Sequence, residues 1–273
     1  MPELPEVETV KETLKRQILK EKIKKIKVLY DGIIASDKDE FKTKIINQTI
    51  NDIHRRGKWL IFELDDYYLV VHLRMEGKFF IKDENEEIVK HEHIIFYFND
   101  KTLRYHDTRK FGKTYLVEKD KLYQDTPLVS IGLEPWDDKL DKIYLKEKYN
   151  RNIAIKTLLL DQEVISGIGN IYADEVLFMS RINPTIKGNM LTDKDLENII
   201  KNTRIVLSKA IELGGTTIRS YTSSLGVTGR FQNELLVHQK EDEECRECQT
   251  KIVKIKVNGR GTYYCPTCQK EQR

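Results

Sequence analysis

Residues 58–82 read KWLIFELDDYYLVVHLRMEGKFFIK, three short runs rich in β-branched and aromatic residues with polar turn residues between them. This composition and length are typical of β-strands. Comparable runs lie at KIKKIKVLY (22–30), HIIFYF (93–98), TLRYH (102–106) and KTYLVE (113–118). Several short strands in succession predict a β-sandwich or barrel in the first part of the chain.

A helix is predicted in front of these strands, and helices follow them. Val7, Val10, Leu14 and Ile18 recur at three- and four-residue spacing, which predicts a helix to about residue 19. Residues 124–150 contain Pro127 and Pro135 with little periodicity, so we interpret them as a connector. Helical spacing then returns at 154–162, 170–182 and 193–213, and residues 216–232, rich in Thr, Ser and Gly, are predicted to form a mobile loop.

Composition places the chain among globular proteins of about two domains. It has 273 residues, of which 39% are hydrophobic and 33% charged. We expect a cytoplasmic protein, because no apolar run approaches the roughly 20 residues of a membrane span and the first residues are acidic, unlike a signal peptide.

The net charge of +3 is small, but charge is unevenly distributed. Residues 11–27 carry eight basic and two acidic side chains, whereas acids gather at 83–87 and 241–244. Such segregation can guide a polyanion to one face. A solvated lysine-rich helix surface also explains the basic stretch, and on this stretch alone we favour that interpretation.

The amino terminus, MPELPEVE, carries two prolines and three glutamates. Pro5 suits the first turn of a helix, and acidic residues there favour the positive end of its dipole. Removal of Met1 would leave Pro2 as a terminal secondary amine. That amine is a possible nucleophile.

All four cysteines occur as two CxxC pairs, Cys245 with Cys248 and Cys265 with Cys268. Two such knuckles on a hairpin complete a tetrahedral Cys₄ site, which is typical of one structural Zn²⁺ without an open coordination position. Disulfides are the alternative, and they are disfavoured in a cytosolic protein.

Two further stretches could contact an anion. Arg260 lies in an NGRG turn between the knuckles, where its guanidinium could bind a phosphate or simply face solvent. Gly167, Gly169 and Asn170 precede a predicted helix, whose first N–H groups could bind an anion. Ordinary capping by Asn170 explains that pattern as well.

Six motifs together resemble the formamidopyrimidine-DNA glycosylase family: PELPEVET (2–9), RRGK (55–58), HLRMEG (72–77), DTRKFG (107–112), ISGIGNIYADE (165–175) and the cysteine finger. The resemblance implies an α+β multidomain fold, with an N-terminal β-sandwich and leading helix, a helix-two-turns-helix domain and a C-terminal zinc ribbon. It implies domains at 1–130, 151–232 with a damage-recognition loop, and 233–273, with a linker at 131–150.

The family's activity is base-excision repair, in which 8-oxoguanine and formamidopyrimidines are excised from duplex DNA. The resemblance implies that the Pro2 amine attacks C1′ of the damaged nucleoside and forms a Schiff base, after which β- and δ-elimination cut the strand. Glu3 resembles the general acid and Glu6 a supporting carboxylate, although helix-dipole compensation accounts for Glu6 equally well. Lys58 and Arg260 match the residues of the β- and δ-elimination steps.

The resemblance also implies how a base is extruded from the duplex. Met75 would fill the vacated stack, Arg109 would pair with the orphaned cytosine, and Phe111 would wedge the neighbouring step. His91, Arg151 and Asn170 match further DNA contacts. The partner is therefore damaged double-stranded DNA, and we expect a monomer that acts in the cytoplasm at the nucleoid, without membrane contact.

Two departures from the family pattern and two competing functions bear on this prediction. The segment VHQKEDEEC (237–245) lacks the usual Gly and Pro, and VTGRF (227–231) matches only loosely. Endonuclease VIII uses the same terminal proline on oxidised pyrimidines, but it differs at the position of Leu4 and in the intercalating set. A non-catalytic damage-binding protein is the other alternative, which the retention of Pro2, Glu3 and Lys58 disfavours.

Overall fold

The computed structural model describes residues 1–216 and 229–270. Contacts divide the chain into two units, Met1–Ser130 with Gly214–Gly229, and Ile131–Leu213 with Arg230–Arg273. Of the predicted mobile loop at 216–232, residues 217–228 lie outside the described residues.

Helix α1 (Leu4–Ile18) opens the first unit and confirms the predicted leading helix. Its buried face includes the four predicted apolar residues, each no more than 1% exposed. Burial of one such side chain contributes about 1.5–3 kcal/mol. On the outer face Lys11 pairs with Glu12 at 2.9 Å and Lys15 with Asp52 at 2.6 Å, so part of the basic stretch is neutralised locally.

Within residues 1–130, eight antiparallel strands form two four-stranded sheets, with the orders β1-β6-β7-β5 and β2-β3-β4-β8. Their bounds are β1 (Lys25–Val28), β2 (Asp52–Arg56), β3 (Trp59–Glu63), β4 (Tyr67–His72), β5 (Lys78–Asp83), β6 (Glu92–Tyr97), β7 (Lys101–His106) and β8 (Lys113–Glu118). The rings of Phe62 in β3 and Phe79 in β5 pack edge to face, with centroids 5.7 Å apart, in one hydrophobic core. Because these strands belong to different sheets, the two sheets form a sandwich.

Two elements of this unit escaped the sequence patterns. Strand β2 buries one of its five side chains, Ile53, and therefore lacks strand-like alternation. Helix α2 (Lys38–Lys44) has a single buried residue, Phe41, and is capped by Asp37, whose carboxylate accepts N–H groups of Asp39 and Glu40. Both are specified by capping or by neighbouring strands rather than by hydrophobic periodicity.

The second unit is helical. It contains α3 (Lys142–Tyr149), α4 (Ile155–Leu159), α5 (Asn170–Met179) and α6 (Asp193–Glu212). The last three lie within the predicted helical segments, whereas α3 falls inside the stretch interpreted as a connector. Asp141 caps α3 by accepting the N–H of Tyr144 at 2.8 Å, a start signal that the nearby prolines obscured.

A two-stranded hairpin of β9 (Val253–Val257) and β10 (Arg260–Tyr264) joins the two cysteine knuckles in the second unit. The helix-rich body and this hairpin agree with the predicted α+β multidomain architecture. None of the helices in the described part of the chain is long and apolar enough to cross a membrane.

Candidate functional site

The tip of α1 places Pro2 and Glu3 in a buried position. Glu3 is the N-cap residue, and its backbone N–H donates to Glu6 Oε2 at 2.8 Å. A Pro2 amine freed by loss of Met1 would lie at the positive end of the helix dipole, which disfavours its protonation, while the neighbouring carboxylates act in the opposite sense.

Glu6 connects this tip to a distant part of the chain. Its Oε1 accepts the backbone N–H of Thr216 at 2.7 Å and the hydroxyl of Thr216 at 3.0 Å. Gly215 has φ +78°, and a Cβ on it would lie 2.6 Å from the same oxygen. Glu6 therefore does more than offset the helix dipole, because it anchors the chain just before residue 217.

Lys58 follows a turn between β2 and β3 in which Gly57 has φ +55°. The side chain is only 5% exposed. Arg55 ties this turn to α1, since its Nε donates to Glu8 at 2.7 Å and its terminal nitrogen to the Gly57 carbonyl at 2.9 Å. Burial acts to raise the pKa of Glu8, but hydrogen bonds from Lys11 and Arg55 outweigh it and hold that pKa below its usual value.

His72 is a neighbour of Lys58 that the sequence patterns did not identify as a site residue. Burial, together with the charges of Arg74 and Lys58, lowers the pKa of His72 to about 3. Its Nδ1 accepts the backbone N–H of Arg74 at 2.9 Å, which leaves the proton of the neutral ring on Nε2. His72 is the first residue of the HLRMEG motif, and that motif was the available signal.

The three residues predicted to intercalate lie on two loops of the first unit and are exposed. Met75, between β4 and β5, is 38% exposed, and Phe111, between β7 and β8, is 50% exposed. The Arg109 guanidinium lies over the Phe111 ring, 4.7 Å from its centroid. Large apolar side chains exposed on neighbouring loops are typical of a binding surface.

Asp107 and Tyr105 hold these two loops in place. The buried carboxylate of Asp107 accepts the backbone N–H groups of Arg109 at 3.0 Å and Gly112 at 2.8 Å. A Cβ on Gly112 or on Gly77 would lie within 2.4 Å of the Tyr105 hydroxyl, so both loops pack on that ring. A hydrogen bond from Thr108 to Glu76 joins the loops directly.

His91 precedes β6 with φ +72°, and its ring centroid lies 5.8 Å from that of His106. The neighbouring Glu92 is buried and pairs with Arg104 at 3.1 Å. The Arg104 guanidinium also donates to the carbonyl groups of the acidic β5–β6 loop, at Asp83, Glu86 and Glu87. This buried arginine therefore organises the loop that leads to His91.

In the second unit, Asn170 is the first residue of α5 and Gly169 is its N-cap. The Asn170 side-chain amide donates to the Gly261 carbonyl of β10 at 2.9 Å, so it does not serve as the cap. Arg151 is exposed and lies 3.6 Å from Asp161. Arg260, next to Gly261, is exposed at the start of β10 after a turn in which Asn258 and Gly259 have positive φ.

The four cysteine sulfurs lie within 4.8 Å of one another. Cys245 and Cys268 are 3.9 Å apart, and Cys248 and Cys265 are 3.4 Å apart. A tetrahedral site with Zn–S bonds of about 2.3 Å needs sulfur separations of about 3.8 Å, so the residues fit one zinc ion. The cluster holds one structural zinc, as predicted.

The predicted site residues thus divide between the two units. The first unit contains Pro2, Glu3, Lys58, Met75, His91, Arg109 and Phe111, and the second contains Arg151, Asn170, Arg260 and the four cysteines.

Comparison with known proteins gives three family matches in order along the chain. Residues 1–114 match the formamidopyrimidine-DNA glycosylase N-terminal domain, residues 131–222 its H2TH domain, and residues 242–270 the zinc finger found in FPG and IleRS. The formamidopyrimidine-DNA glycosylase of Ligilactobacillus salivarius is 45% identical, over 98% of this chain and 99% of its own. That of Bacillus subtilis is 44% identical, over 98% and 99%.

Solved structures give the same result. The Lactococcus lactis Fpg in complex with DNA containing an abasic site matches with a TM-score of 0.93 and 41% identity, over 98% of this chain and all of its own. A variant of that protein bound to DNA containing Fapy-dG matches with a TM-score of 0.94 and 41% identity, over 99% and 100%. The order of the motifs, the fold and the near-complete coverage lead to one conclusion: the chain belongs to the formamidopyrimidine-DNA glycosylase family.

Proposed function

We propose that this protein is a bifunctional DNA glycosylase and abasic-site lyase of base-excision repair, which removes 8-oxoguanine and formamidopyrimidines from duplex DNA. Family membership and relatives that bind damaged DNA support the proposal. The observation that carries it is the tip of α1, where Pro2 and Glu3 are buried and the Glu3 backbone N–H donates to the Glu6 carboxylate.

In the first step, the nitrogen of Pro2 attacks C1′ of the damaged nucleoside as the bond from C1′ to the base breaks. The base leaves with the proton that the Pro2 nitrogen loses on bonding to C1′, and the deoxyribose ring then opens to give an iminium ion on Pro2. The amine must be neutral, and an α-amino group with a pKa of about 8 supplies more neutral amine near pH 7 than a lysine of about 10.4. Glu3 donates the proton to the ring oxygen.

Strand cleavage follows by two eliminations. Lys58 contacts the phosphate beside the lesion and assists β-elimination, for which its burial in a fixed turn gives a defined position. Arg260 binds a phosphate and assists δ-elimination. Its guanidinium is exposed at the tip of the hairpin, where a bidentate contact with phosphate is sterically open.

Base extrusion depends on the two linked loops of the first unit. Met75 fills the space of the lost base, Arg109 reads the opposite cytosine, and Phe111 enters the adjacent step. His91 and Arg151 contact the DNA backbone, as does Asn170, whose amide keeps a second N–H besides the one donated to Gly261. Zinc, when bound, supplies no chemistry and holds the hairpin that carries Arg260.

We further propose a division of labour along the chain. Residues 1–130 carry the amine chemistry, 131–150 form a linker, 151–232 bind DNA through the helix-two-turns-helix domain and the damage-recognition loop, and 233–273 form the zinc finger. The protein acts as a monomer in the cytoplasm, at the nucleoid.

Borohydride trapping tests the proposal. The protein is incubated with duplexes that contain 8-oxoguanine opposite cytosine or thymine glycol, and the imine is reduced to a stable adduct. We expect a covalent adduct with 8-oxoguanine. No adduct on either duplex would refute the enzyme and favour a damage-binding protein, whereas a strong preference for thymine glycol would favour the endonuclease VIII activity.

A further inference from the structure

A buried row of charged side chains in the second unit has no part in the mechanism above. Lys156 Nζ lies 2.6 Å from Asp174 Oδ1 and donates to the Asn170 carbonyl at 2.8 Å. The other carboxylate oxygen, Asp174 Oδ2, accepts a hydrogen bond of 2.6 Å from His238 Nδ1. Lys156 and Asp174 are at most 1% exposed and His238 is 5% exposed.

This row ends on the strand that carries Arg260. The His238 ring packs edge to face against Tyr263, with centroids 5.0 Å apart. One turn earlier on α5, Asn170 donates to the carbonyl of Gly261. Helix α5 therefore contacts β10 directly through Asn170 and Gly261, and Asp174 reaches Tyr263 through His238.

The two contacts are separated by about the same distance along α5 as along β10. Residues four apart on a helix are separated by about 6 Å along its axis. Residues two apart on a strand are separated by about 6.6 Å and point to the same face. Two contacts at matched spacing fix both the position and the register of β10 along α5, which one contact alone would not do.

Hydrogen bonds to the Glu175 carboxylate fix the backbone at His238. The Glu175 carboxylate accepts three consecutive backbone N–H groups, from Leu236 at 2.8 Å, Val237 at 3.0 Å and His238 at 2.9 Å. Burial raises the pKa of Glu175, while these N–H groups and His238 act to lower it. The backbone at His238 therefore cannot shift without breaking hydrogen bonds of a buried carboxyl group.

A buried ionic row of this kind gives little net stability compared with well-packed apolar side chains. Its directional hydrogen bonds, in contrast, define geometry closely.

We propose that Asp174 and His238 are positioning residues, which set the register of β10 on α5 and so hold Arg260 beside Asn170 for joint binding of one DNA phosphate. The inference rests on the proposed function, because it concerns the δ-elimination assigned to Arg260. The pair acts through β10 and touches neither the sugar nor Pro2. Its loss should therefore slow δ-elimination more than Schiff-base formation or β-elimination.

Two substitutions at His238 separate this role from simple packing. His238→Phe keeps a ring against Tyr263 but removes the hydrogen bond to Asp174, whereas His238→Asn keeps an N–H donor near the Nδ1 position. His54→Phe, at an exposed histidine of β2, is the matched control. The full-length zinc-loaded variants are given duplex DNA with a preformed abasic site, and β- and δ-products are separated by gel.

We expect His238→Phe to slow the δ step about tenfold. A misplacement of ~1 Å at a reacting group can cost on the order of 100-fold, and the expected loss is smaller because the contact between Asn170 and Gly261 remains. The ratio of δ- to β-product in His238→Asn should be closer to that of the parent than the ratio in His238→Phe. The ratio in His54→Phe should equal that of the parent. Borohydride adduct formation, zinc content and melting temperature are measured alongside. A parent-like product ratio in His238→Phe, or equal loss of both products with loss of zinc, would overturn the proposal. Failure of the parent itself to form an adduct would instead refute the proposed function.

Discussion

The chemical role proposed for Pro2 coincides with a defined structural position, because this residue directly precedes the N-cap of α1. Pro2→Gly should slow base excision strongly while leaving DNA affinity nearly unchanged, since it replaces the ring-constrained secondary amine and removes no DNA-contacting group. Single-turnover excision and equilibrium binding on the same duplex measure both effects. Pro5→Ala, within the same helical turn, is the control, and intact mass reports loss of Met1. Parent-like excision by Pro2→Gly would show that Pro2 is not the essential nucleophile.

His72 predicts a pH dependence of stability. Its pKa of about 3 in the folded protein lies below the usual 6.5, so below pH 6.5 the unfolded chain binds a proton that the folded chain does not. The unfolding free energy should therefore fall as the pH is lowered from 6.5 towards 3, by about 2 kcal/mol at pH 5.

Thermal melts of the parent and His72→Gln between pH 7 and 5 measure this effect. The variant should lose less stability over that interval. His106, whose pKa is also lowered, chiefly by burial, adds a smaller dependence of the same sign to both proteins. Identical pH profiles for parent and variant would contradict the assignment to His72.

Among the elements, the turn that presents Arg109 and Phe111 depends on one buried carboxylate. Asp107→Asn would direct an amide N–H group at a backbone N–H group, and one unsatisfied buried donor costs about 1–3 kcal/mol. We expect lower stability and a several-fold weaker preference for cytosine opposite the lesion. Abasic-site cleavage in single-stranded DNA, which has no opposite base, should change little. Asp100→Asn, at the exposed β6–β7 turn, is the control, and an unaltered opposite-base preference in Asp107→Asn would refute this role.

The zinc hairpin is the second element whose loss has a defined consequence. Cys265→Ser or removal of zinc by a chelator should unfold β9 and β10 and abolish tight DNA binding, since structural zinc contributes on the order of 10 kcal/mol in such fingers. Zinc content and duplex binding are measured on the same sample. Parent-like affinity after verified loss of the metal would contradict the prediction.

For the whole molecule, binding should weaken steeply with salt, because each neutralised phosphate releases counterions. Lys58, Arg151 and Arg260 are the charged groups proposed to contact the backbone, so we expect a slope of log affinity on log salt of about −3 or steeper, from roughly −0.9 per contact. Arg151→Ala should reduce the slope by about 1, whereas Lys146→Ala, which breaks a pair with Asp193, should not. A slope that Arg151→Ala leaves unchanged would exclude a phosphate contact there.

Much of the fold could be predicted from short-range patterns. The α1 stripe of Val7, Val10, Leu14 and Ile18, the seven apolar strands and the spacing of the two CxxC pairs each depend on residues close together in the chain. Strand β2 and helix α3 could not be predicted in this way. The first has a single buried residue, and the second begins beside a proline-rich stretch that masked its Asp141 cap.

The candidate site divides in the same manner. Motifs predicted Pro2, Glu3, Lys58, the loop residues and the cysteines, because these are recognised by identity and local spacing. His72 and Asp174 lie within the same motifs, but the amino-acid order does not show that His72 lies beside Lys58 or that Asp174 binds His238. Each of those contacts exists only after separate elements have packed.

The sequence was therefore sufficient for the helix face of α1, the zinc ligands and the proposal of Pro2 as the amine, since periodicity, chelate spacing and chain position act over a few residues. Folding decided which strands pair in the two sheets and that Glu6 binds Thr216, 210 residues away. Strands with similar apolar faces can pair in many orders, and a carboxylate can accept from any N–H group. The choice depends on how the whole core packs and which buried polar groups it satisfies.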